Sequence, residues 1–221
     1  MDRKLLEKLD LQIASKSLLE HQFYQDWQLG RLTMDDLRLY GTQYWHFEKE
    51  FPRYLSSIHS QCPDSLTRTS ILHNLWDEES GDKNHEAMWL DFCSGIGIPV
   101  EQIHTAPILP ETSSLTDTYK TICSNQSFLD GVAIIYAYES QAPSVMNSKL
   151  TGLQKWYGIN NEITTRFFSI HQEIDTTHSL NEQDILARHL TEETFERTEQ
   201  ATQFGLDSWW SFLDGVQRMR V

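Results

Sequence analysis

Apolar residues in the first part of the chain recur at intervals of three and four, the spacing of an amphipathic helix. The series consists of Leu5, Leu6, Leu9, Ile13, Leu18, Leu19, Phe23, Tyr24 and Trp27. Gly30 interrupts the pattern. The sequence therefore predicts one helical segment that ends at Gly30 and packs its apolar face on the rest of the protein.

Two further helices are indicated before residue 80. Thr33, followed three residues later by Asp36, resembles a capping box with Asp in place of Glu and opens a helix that continues to about Ser60. Pro52 lies inside this helix and should kink it, because proline lacks the N–H that an interior helical position needs. A third helical region covers residues 63–79.

Glycine and proline divide the middle of the chain. Ser80-Gly81-Asp82 weakens the third helix before a helical pattern resumes at His85. The glycines and prolines between residues 95 and 110 predict the longest irregular connection, with one short helix inside it. The periodic pattern returns at Ser113 or Ser114.

The most apolar stretch is residues 128–140, FLDGVAIIYAYES, which suits a helix buried on most sides. Its β-branched and aromatic residues also favour a strand. We interpret it as a helix because helices flank it and no second strand-like run is present to pair with it. Asn160 or Asn161 caps the next helix, and Thr191 begins the last. Residues 1–221 are therefore predicted to form a single all-α domain, a bundle of about seven helices.

Composition limits the classes of function. The formal net charge of -14 argues against nucleic acid and anionic membrane surfaces as partners, because both attract basic patches. No apolar run approaches the roughly 20 residues that span a bilayer, and the charged N-terminal region lacks the apolar core of a signal peptide. Cys62, Cys93 and Cys123 form no C-x-x-C pair, so neither a disulfide framework nor a zinc site is indicated. We expect a cytoplasmic protein.

The octapeptide 171–178, His-Gln-Glu-Ile-Asp-Thr-Thr-His, carries the first chemical signal. In a helix, His171, Asp175 and His178 lie within a strip about 60° wide. Two imidazoles beside one carboxylate suit divalent iron, manganese or zinc. The alternative is a solvated helix face on which histidines fall three or four residues apart by chance, so the motif needs partners elsewhere.

Two other helices offer such partners. Glu139 lies in the most apolar helix, where a carboxylate is costly unless it is paired or bound to a cation; a buried salt bridge is the alternative. Glu78 and His85 are seven residues apart, which in an ideal helix separates their Cα atoms by about 10.5 Å. Either they bind different ions or the helix deforms at residues 80–82. The two histidines of the octapeptide have the same spacing, and two metal ions bridged by carboxylates satisfy both.

The candidate metal ligands are Glu78, His85, Glu139, His171, Asp175 and His178. Three carboxylates with three imidazoles are typical of a dinuclear centre with two Fe ions or a mixed Mn/Fe pair, because softer sites use thiolate and calcium or magnesium sites avoid imidazole. Glu101 and His104 match the Glu-x-x-His of ferritin-like bundles. They lie between two prolines and no second copy is present, so we interpret them as part of a surface turn.

The order of these motifs resembles a known family. Glu-x6-His, then Tyr-x-Tyr-Glu-Ser-Gln, then His-x3-Asp-x2-His is similar to the haem-oxygenase-like dimetal oxidases, whose wider fold includes the TenA and PqqC proteins. In particular the chain resembles the CADD type, named after a chlamydial protein associating with death domains. The likeness covers most of the chain and includes residues 19–24 (LEHQFY), 51–60 (FPRYLSSIHS), 77–81 (DEESG), 84–85 (NH) and 138–141 (YESQ).

The CADD-type proteins are implicated in making 4-aminobenzoate for folate from a tyrosine of the protein itself, with a lysine as nitrogen source. The resemblance implies that Tyr24 is the donor tyrosine, that Lys149 supplies the nitrogen and that Tyr138 lies near the metals. It also implies O2 as co-substrate and an external reductant.

The resemblance further implies how the metal ligands are shared. One ion would be held by Glu78 and His171, and the other by His85, Asp175 and His178, with Glu139 as the bridge. This chain departs from the family at Phe167-Phe168, where a tyrosine just before His171 is expected. If that phenol takes part in radical transfer, its absence changes the path or the substrate.

Three other functions stay open at this point. A dimetal oxidase could act on an external small molecule such as an amino acid or a fatty acid. The chain could be a non-enzymatic binding module for a death-domain protein, although no motif indicates this. A metal-free member of the wider fold would handle thiamin or quinone precursors, which the six candidate ligands argue against. The resemblance implies a homodimer.

Overall fold

The computed structural model describes residues 3–220, and these residues form only helices and connections, as predicted. The α-helices are α1 (Arg3–Ser15), α2 (Gln22–Gln28), α3 (Met34–Glu48), α4 (Phe51–Gln61), α5 (Ser65–Glu79), α6 (His85–Gly95), α7 (Val100–Thr105), α8 (Pro110–Asn125), α9 (Phe128–Glu139), α10 (Ala142–Tyr157), α11 (Glu162–His189) and α12 (Glu192–Arg218), with a 3₁₀ helix at Leu18–Glu20. This exceeds the about seven helices predicted, because short breaks divide several of them. Within residues 3–220 no helix is both long and apolar enough to cross a membrane.

A break at Ser17 divides the first predicted segment. Ser17 has an extended backbone (φ -56°, ψ 132°). His21 then caps α2, because its Nδ1 accepts a hydrogen bond of 3.1 Å from the Phe23 N–H. The prediction of one continuous segment was wrong because α1 and α2 pack their apolar residues on the same core, so the apolar spacing continues across the break.

Pro52 lies at the start of a helix and does not kink one. The capping box forms as predicted: Thr33 Oγ1 accepts from the Asp36 N–H at 3.1 Å, and Asp36 Oδ2 accepts from the Thr33 N–H at 2.8 Å. α3 ends at Glu48, and Pro52 lies in the first turn of α4. Backbone N–H groups in the first turn of a helix have no acceptor within the helix, so proline is tolerated there. The break places Glu48 at the very end of α3.

Other predicted boundaries agree with the structure. Asp64, Asn161 and Thr191 cap α5, α11 and α12 through their side chains. The short α7 lies in the predicted irregular connection, and residues 128–139 are helical. α10 is an additional helix that the sequence pattern did not separate from its neighbours.

α9 lies at the centre of the bundle. Every residue from Leu129 to Glu139 is buried, and the helix packs against α8, α11 and α12. A helix surrounded in this way has no polar face, which explains its uniformly apolar sequence. α11 runs beside both α9 and α6, so side chains from these three helices meet in the interior.

Candidate dimetal centre

A buried cluster of histidines and carboxylates lies where five helices meet. α3 contributes Glu48, α5 Glu78, α6 His85, α9 Glu139, and α11 His171, Asp175 and His178. None of the seven side chains is more than 5% exposed. The structure thus brings together all six candidate ligands and adds Glu48, which the sequence did not indicate.

The break after α5 decides how Glu78 and His85 meet. Residues 80–84 leave the helix, and Gly81 takes a left-handed backbone conformation with φ at 90°. The chain turns back there, and His85 Nδ1 lies 2.8 Å from Glu78 Oε2. Of the two alternatives left by the helical spacing, the structure therefore shows the deformed chain, in which both residues face one point.

The ligand atoms fall into two overlapping groups. One consists of Glu48, Glu78, His85 and His171, and the other of Glu78, Glu139 and His178; within each group, one ligand atom per residue lies within 4.8 Å of all the others. Bonds of about 2.0–2.2 Å to a metal place opposite ligands about 4.0–4.4 Å apart, so each group can surround one ion after small adjustments. Asp175 Oδ1 lies 3.8 Å from His178 Nδ1, beside the second group.

This grouping differs from the one that the resemblance implied. His85 lies with Glu78 and His171 and not with Asp175 and His178, since its ring centroid is 4.4 Å from that of His171. Glu78, and not Glu139, belongs to both groups. The turn at residues 80–84 is the physical reason, because it returns His85 to the side of the cluster where Glu78 lies.

Hydrogen bonds orient two of the imidazoles. His171 Nδ1 donates to the Phe167 carbonyl oxygen at 2.6 Å, which leaves Nε2 as the free ligand atom. His178 Nε2 lies 3.1 Å from Asp77 Oδ2, which leaves Nδ1. Metal-binding histidines in proteins are usually held in this way by a carbonyl or a carboxylate.

Glu139 has polar partners on two sides. Asn74 Nδ2 donates to both of its carboxylate oxygens, at 3.2 and 3.0 Å. Burial disfavours the charged form of Glu139, but interactions with Glu182, His178 and Asn74 outweigh burial and lower its pKa. A buried carboxylate at the end of an apolar helix is thus held ionised by its neighbours.

The other carboxyl groups show the opposite behaviour. Burial and then the charges of Glu139, Glu78 and Glu48 raise the pKa of Asp175 well above its usual range. Burial, followed by the charge of Glu78, raises the pKa of Glu48 to about 8. So many acidic groups in one dry volume repel each other, and a cation among them would relieve this repulsion.

The cluster also contains unsatisfied polar atoms. Glu48 Oε1 and Asp175 Oδ2 are buried and have no hydrogen-bond partner among residues 3–220, and His178 Nδ1 has only longer contacts, to Glu139 Oε1 at 3.4 Å and to Asp175 Oδ1 at 3.8 Å. Leaving such atoms unpaired is costly, and coordination to metal ions would satisfy them. All the donors are carboxylate oxygens or imidazole nitrogens, and the three cysteines lie outside both groups. The residues therefore fit two divalent ions such as iron or manganese.

Sequence reasoning missed several residues of the cluster. Glu182 is buried, and its interaction with Glu139 together with burial raises its pKa well above the usual range. It lies four residues after His178 on the same face of α11, so helical spacing could have identified it. Glu48 had no such signal, because nothing in its local sequence distinguishes it from a surface residue at a helix end.

Glu101 and His104 lie apart from this cluster. They belong to the short α7, and both are exposed. The His104 ring packs 4.9 Å from that of Trp45. The prediction that they take no part in the site agrees with this placement, although the segment is a short helix and not a turn.

Tyr24 and Lys149 lie together in the interior. Each is 2% exposed, and Lys149 Nζ is 4.9 Å from the centre of the Tyr24 ring. The Tyr40 hydroxyl joins them, since it accepts a hydrogen bond of 2.7 Å from Lys149 Nζ and lies 2.9 Å from the Tyr24 hydroxyl. Burial lowers the pKa of Lys149 to about 7, against the opposing effect of Glu48.

Aromatic residues connect this pair to the metal cluster. The Tyr44 ring lies 5.6 Å from that of Tyr40, and its hydroxyl is 2.5 Å from that of Tyr138. Tyr44 also interacts with the Glu48 carboxylate. Phe167, which stands where the resemblance led us to expect a tyrosine, lies 4.0 Å from the His171 ring and 6.1 Å from that of Tyr44. Phenol groups therefore reach the cluster from α3 and α9, although α11 offers none at this position.

One cavity beside the cluster is small. The cavity that His178, Asn74 and Glu182 help to line has a volume of about 20 Å³. A water molecule needs at least about 10–15 Å³, so this cavity can take a water or O2 but no molecule of the size of an amino acid.

Comparisons with known proteins agree with this geometry. Residues 38–210 match the family described as iron-containing redox enzymes. The chain is 38% identical to the 4-aminobenzoate synthase of Nitrosomonas europaea, over 95% of this chain and 89% of the relative. It is 35% identical to the 4-aminobenzoate synthase of Chlamydia trachomatis, over 95% of this chain and 90% of the relative.

A solved structure supports the fold. A domain with a haem-oxygenase-like fold from Shewanella denitrificans superposes with a TM-score of 0.82 at 19% identity, over 99% of this chain and 93% of that one. The predicted fold and the predicted family are both confirmed. With its buried carboxylate and histidine cluster, the chain belongs to the iron-containing redox enzymes of the haem-oxygenase-like fold.

Proposed function

We propose that this protein forms 4-aminobenzoate from its own Tyr24, with Lys149 as the source of nitrogen, by using O2 at two metal ions. Relatives that bear the name 4-aminobenzoate synthase match nearly the whole chain at 33% identity or more. The buried cluster supplies enough ligands for two ions, which we infer to be two Fe ions or one Mn and one Fe.

One observation carries the proposal: Tyr24 and Lys149 touch in a fully buried place. The Lys149 ammonium lies over the Tyr24 ring, and Tyr40 bonds to both. A buried lysine is costly, because burial opposes its charge, and here the charge of Glu48 offsets that effect only in part. Such a residue is rare without a chemical role, and this one is held against the ring to which a nitrogen atom would be added.

The chemical structure of 4-aminobenzoate determines which bonds of Tyr24 and Lys149 must change. 4-Aminobenzoate retains the ring and Cβ of a tyrosine side chain, so the Cα–Cβ bond of Tyr24 must break and Cβ must be oxidised to a carboxylate. A bond from the ring to nitrogen replaces the phenolic C–O bond, and Lys149 loses its nitrogen by cleavage of the Cε–N bond. Cα of Tyr24 gains a hydrogen and becomes the Cα of a glycine, Cε of Lys149 becomes an aldehyde, and the phenolic oxygen leaves at the oxidation level of water. These changes remove six electrons from the chain; two O2 molecules accept them together with two electrons and two protons from an external reductant, and two water molecules form.

The buried residues have different roles in the proposed reaction. Two bound metal ions would supply the activation of O2, which protein side chains alone do not provide. Lys149, with a pKa of about 7, holds much of its amine unprotonated near neutral pH and so presents a nucleophilic nitrogen. Tyr40 holds this amine beside Tyr24. Tyr44 and Tyr138 place hydroxyl groups between that pair and the cluster.

Water is excluded from the reacting groups. Tyr24, Tyr40 and Lys149 are each at most 2% exposed, and large aromatic side chains surround them. The cavity that His178, Asn74 and Glu182 help to line is itself too small for an external amino acid or fatty acid, which would need a pocket of several hundred Å³. A substrate that belongs to the chain itself needs no pocket.

The test is a measurement of the protein's own mass. Protein loaded with iron and manganese without oxygen, and then exposed to O2 and a reductant, should lose mass from the peptides that contain Tyr24 and Lys149. Protein grown with ε-¹⁵N-lysine should release ¹⁵N-labelled 4-aminobenzoate, at no more than one molecule per chain. Unlabelled product, or many turnovers per chain, would refute the internal source.

Matched variants complete this experiment. Tyr24→Phe should yield no product and should not rescue a bacterium that cannot make 4-aminobenzoate. Tyr54→Phe is the control, because Tyr54 is equally buried but donates only to the Thr116 carbonyl oxygen, at 3.2 Å, away from Lys149. Rescue by Tyr24→Phe would show that another ring is used.

A further inference from the structure

Glu48 is the carboxylate of the cluster that neither helical spacing nor the family motifs indicate. It ends α3, is 4% exposed, and reaches Glu78, His85 and His171 so closely that one atom from each residue lies within 4.8 Å of the others. The break between α3 and α4 positions it there. Its three neighbours come from three other helices, so Glu48 closes a side of the cluster that would otherwise lack a donor.

One oxygen of Glu48 has no partner. Glu48 Oε1 is buried and accepts no hydrogen bond among residues 3–220. Its neighbours in the cluster are two imidazoles and the Glu78 carboxylate, which cannot donate to it; Tyr44 interacts with the same side chain but leaves Oε1 without a partner. A buried, unpaired carboxylate oxygen is destabilising, and a bound cation at the centre of the four residues would satisfy it.

Charge balance also favours Glu48 as a ligand. Glu78, Glu139 and Asp175 offset three of the four charges that two divalent ions bring, and Glu48 offsets the fourth. A buried site without net charge costs least to form.

We propose that Glu48 is a direct ligand of the metal ion held by Glu78, His85 and His171, which gives that ion four protein ligands from four helices. This inference rests on the proposed function, in which the cluster holds two ions. Through its interaction with Tyr44, the same carboxylate would link this ion to the hydroxyl pair of Tyr44 and Tyr138.

The experiment compares Glu48→Ala with Glu182→Ala. Each full-length protein is loaded with Mn²⁺ or Fe²⁺ without oxygen, and bound ions are counted during competition with a chelator. Glu182 is a matched control, because it is a buried acid that contacts a ligand but lies in neither ligand group. Loss of such an outer neighbour lowers metal affinity by about 10–100-fold.

We expect wild type and Glu182→Ala to bind two ions, and Glu48→Ala to lose more than a hundredfold in affinity for the more weakly bound ion. A smaller loss in Glu48→Ala would overturn the assignment. Wild type that takes up fewer than two ions would instead refute the proposed function, so the two failures are distinguishable.

A second measurement guards against misfolding. Glu48→Gln keeps the size of the side chain but removes the charge that a metal ligand needs, so it should lose affinity for the same ion as Glu48→Ala. Circular dichroism should show unchanged helix content. A folded Glu48→Gln protein that binds two ions with the affinity of wild type would also overturn the assignment.

Discussion

Replacing Tyr40 by Phe removes one hydroxyl and keeps the ring. The ring stacks on Phe23 at 5.3 Å and stays in place. The lost hydroxyl is the group that accepts from Lys149 Nζ and bonds to the Tyr24 hydroxyl. Among residues 3–220 it is the hydrogen-bond acceptor of that ammonium, so the variant leaves two buried polar groups without their partner.

The size of the effect follows from these two bonds. A hydrogen bond to a charged group contributes about 1.5–3 kcal/mol and one between neutral groups about 0.5–1.5 kcal/mol. Tyr40→Phe should therefore lower the free energy of unfolding by about 2–4.5 kcal/mol. The loss should be larger at pH 6 than at pH 8, because Lys149, with a pKa of about 7, is mostly charged only at the lower pH.

Urea unfolding of the metal-free protein measures this loss. Tyr54→Phe is the control and should cost only about 1 kcal/mol, since it loses one neutral hydrogen bond. A double-mutant cycle then isolates the lysine: in a Lys149→Met background, Tyr40→Phe should cost no more than the bond to Tyr24. The same variant should also release less 4-aminobenzoate, because the amine is no longer held beside Tyr24.

Two results would contradict this reasoning. One is a cost for Tyr40→Phe equal to that for Tyr54→Phe. The other is an equal cost of Tyr40→Phe with and without Lys149. Either would mean that the Tyr40 hydroxyl does not hold the lysine, and the placement of the amine against Tyr24 would then need another cause.

Three further predictions concern pH, a metal ligand and packing. Glu48 and His178 have pKa values of about 8 and about 9 in the folded chain, above their unfolded values, so the folded state binds more protons than the unfolded state. The free energy of unfolding of the metal-free protein should therefore fall by about 1 kcal/mol per pH unit from pH 6.5 to 8, although Lys149 offsets part of this fall above pH 7. Urea titrations measure the fall, and bound Mn²⁺ should abolish it. Asp77→Ala should weaken metal binding by about 10–100-fold in chelator competition, since it frees the His178 ring, and unchanged affinity would contradict this role. Gly152→Ala should lower stability by about 1–3 kcal/mol in thermal unfolding, because its Cβ would lie 2.6 Å from an indole carbon of α2, and unchanged stability would contradict this close packing.

The helices and the family were predictable because both depend on local pattern. The apolar run of α9 and the capping residues of α3, α11 and α12 are local signals, and each led to the right element. The pattern failed where two helices share one core, as at Ser17, because apolar spacing reports which face is buried and not whether the backbone is continuous. It failed at Pro52 for a related reason, since proline both kinks a helix and begins one.

The metal cluster was predictable only in part. Helical spacing placed His171, Asp175 and His178 on one face, and the same rule could have added Glu182. No spacing rule connects Glu48 to Glu78, because they lie on different helices and meet only through packing. The grouping of His85 likewise depended on the turn at residues 80–84.

By itself, the sequence determined the all-α class, the set of six candidate ligands and the family, because these depend on periodicity and on short motifs that can be recognised without knowledge of the fold. Only the tertiary structure showed that Tyr24, Tyr40 and Lys149 contact each other in the interior, away from water, and that Glu48 faces the candidate metal ligands. The physical reason is that long-range contacts are formed by burial of whole helix faces. The packing of the helices therefore determines which polar side chains lie together in the interior.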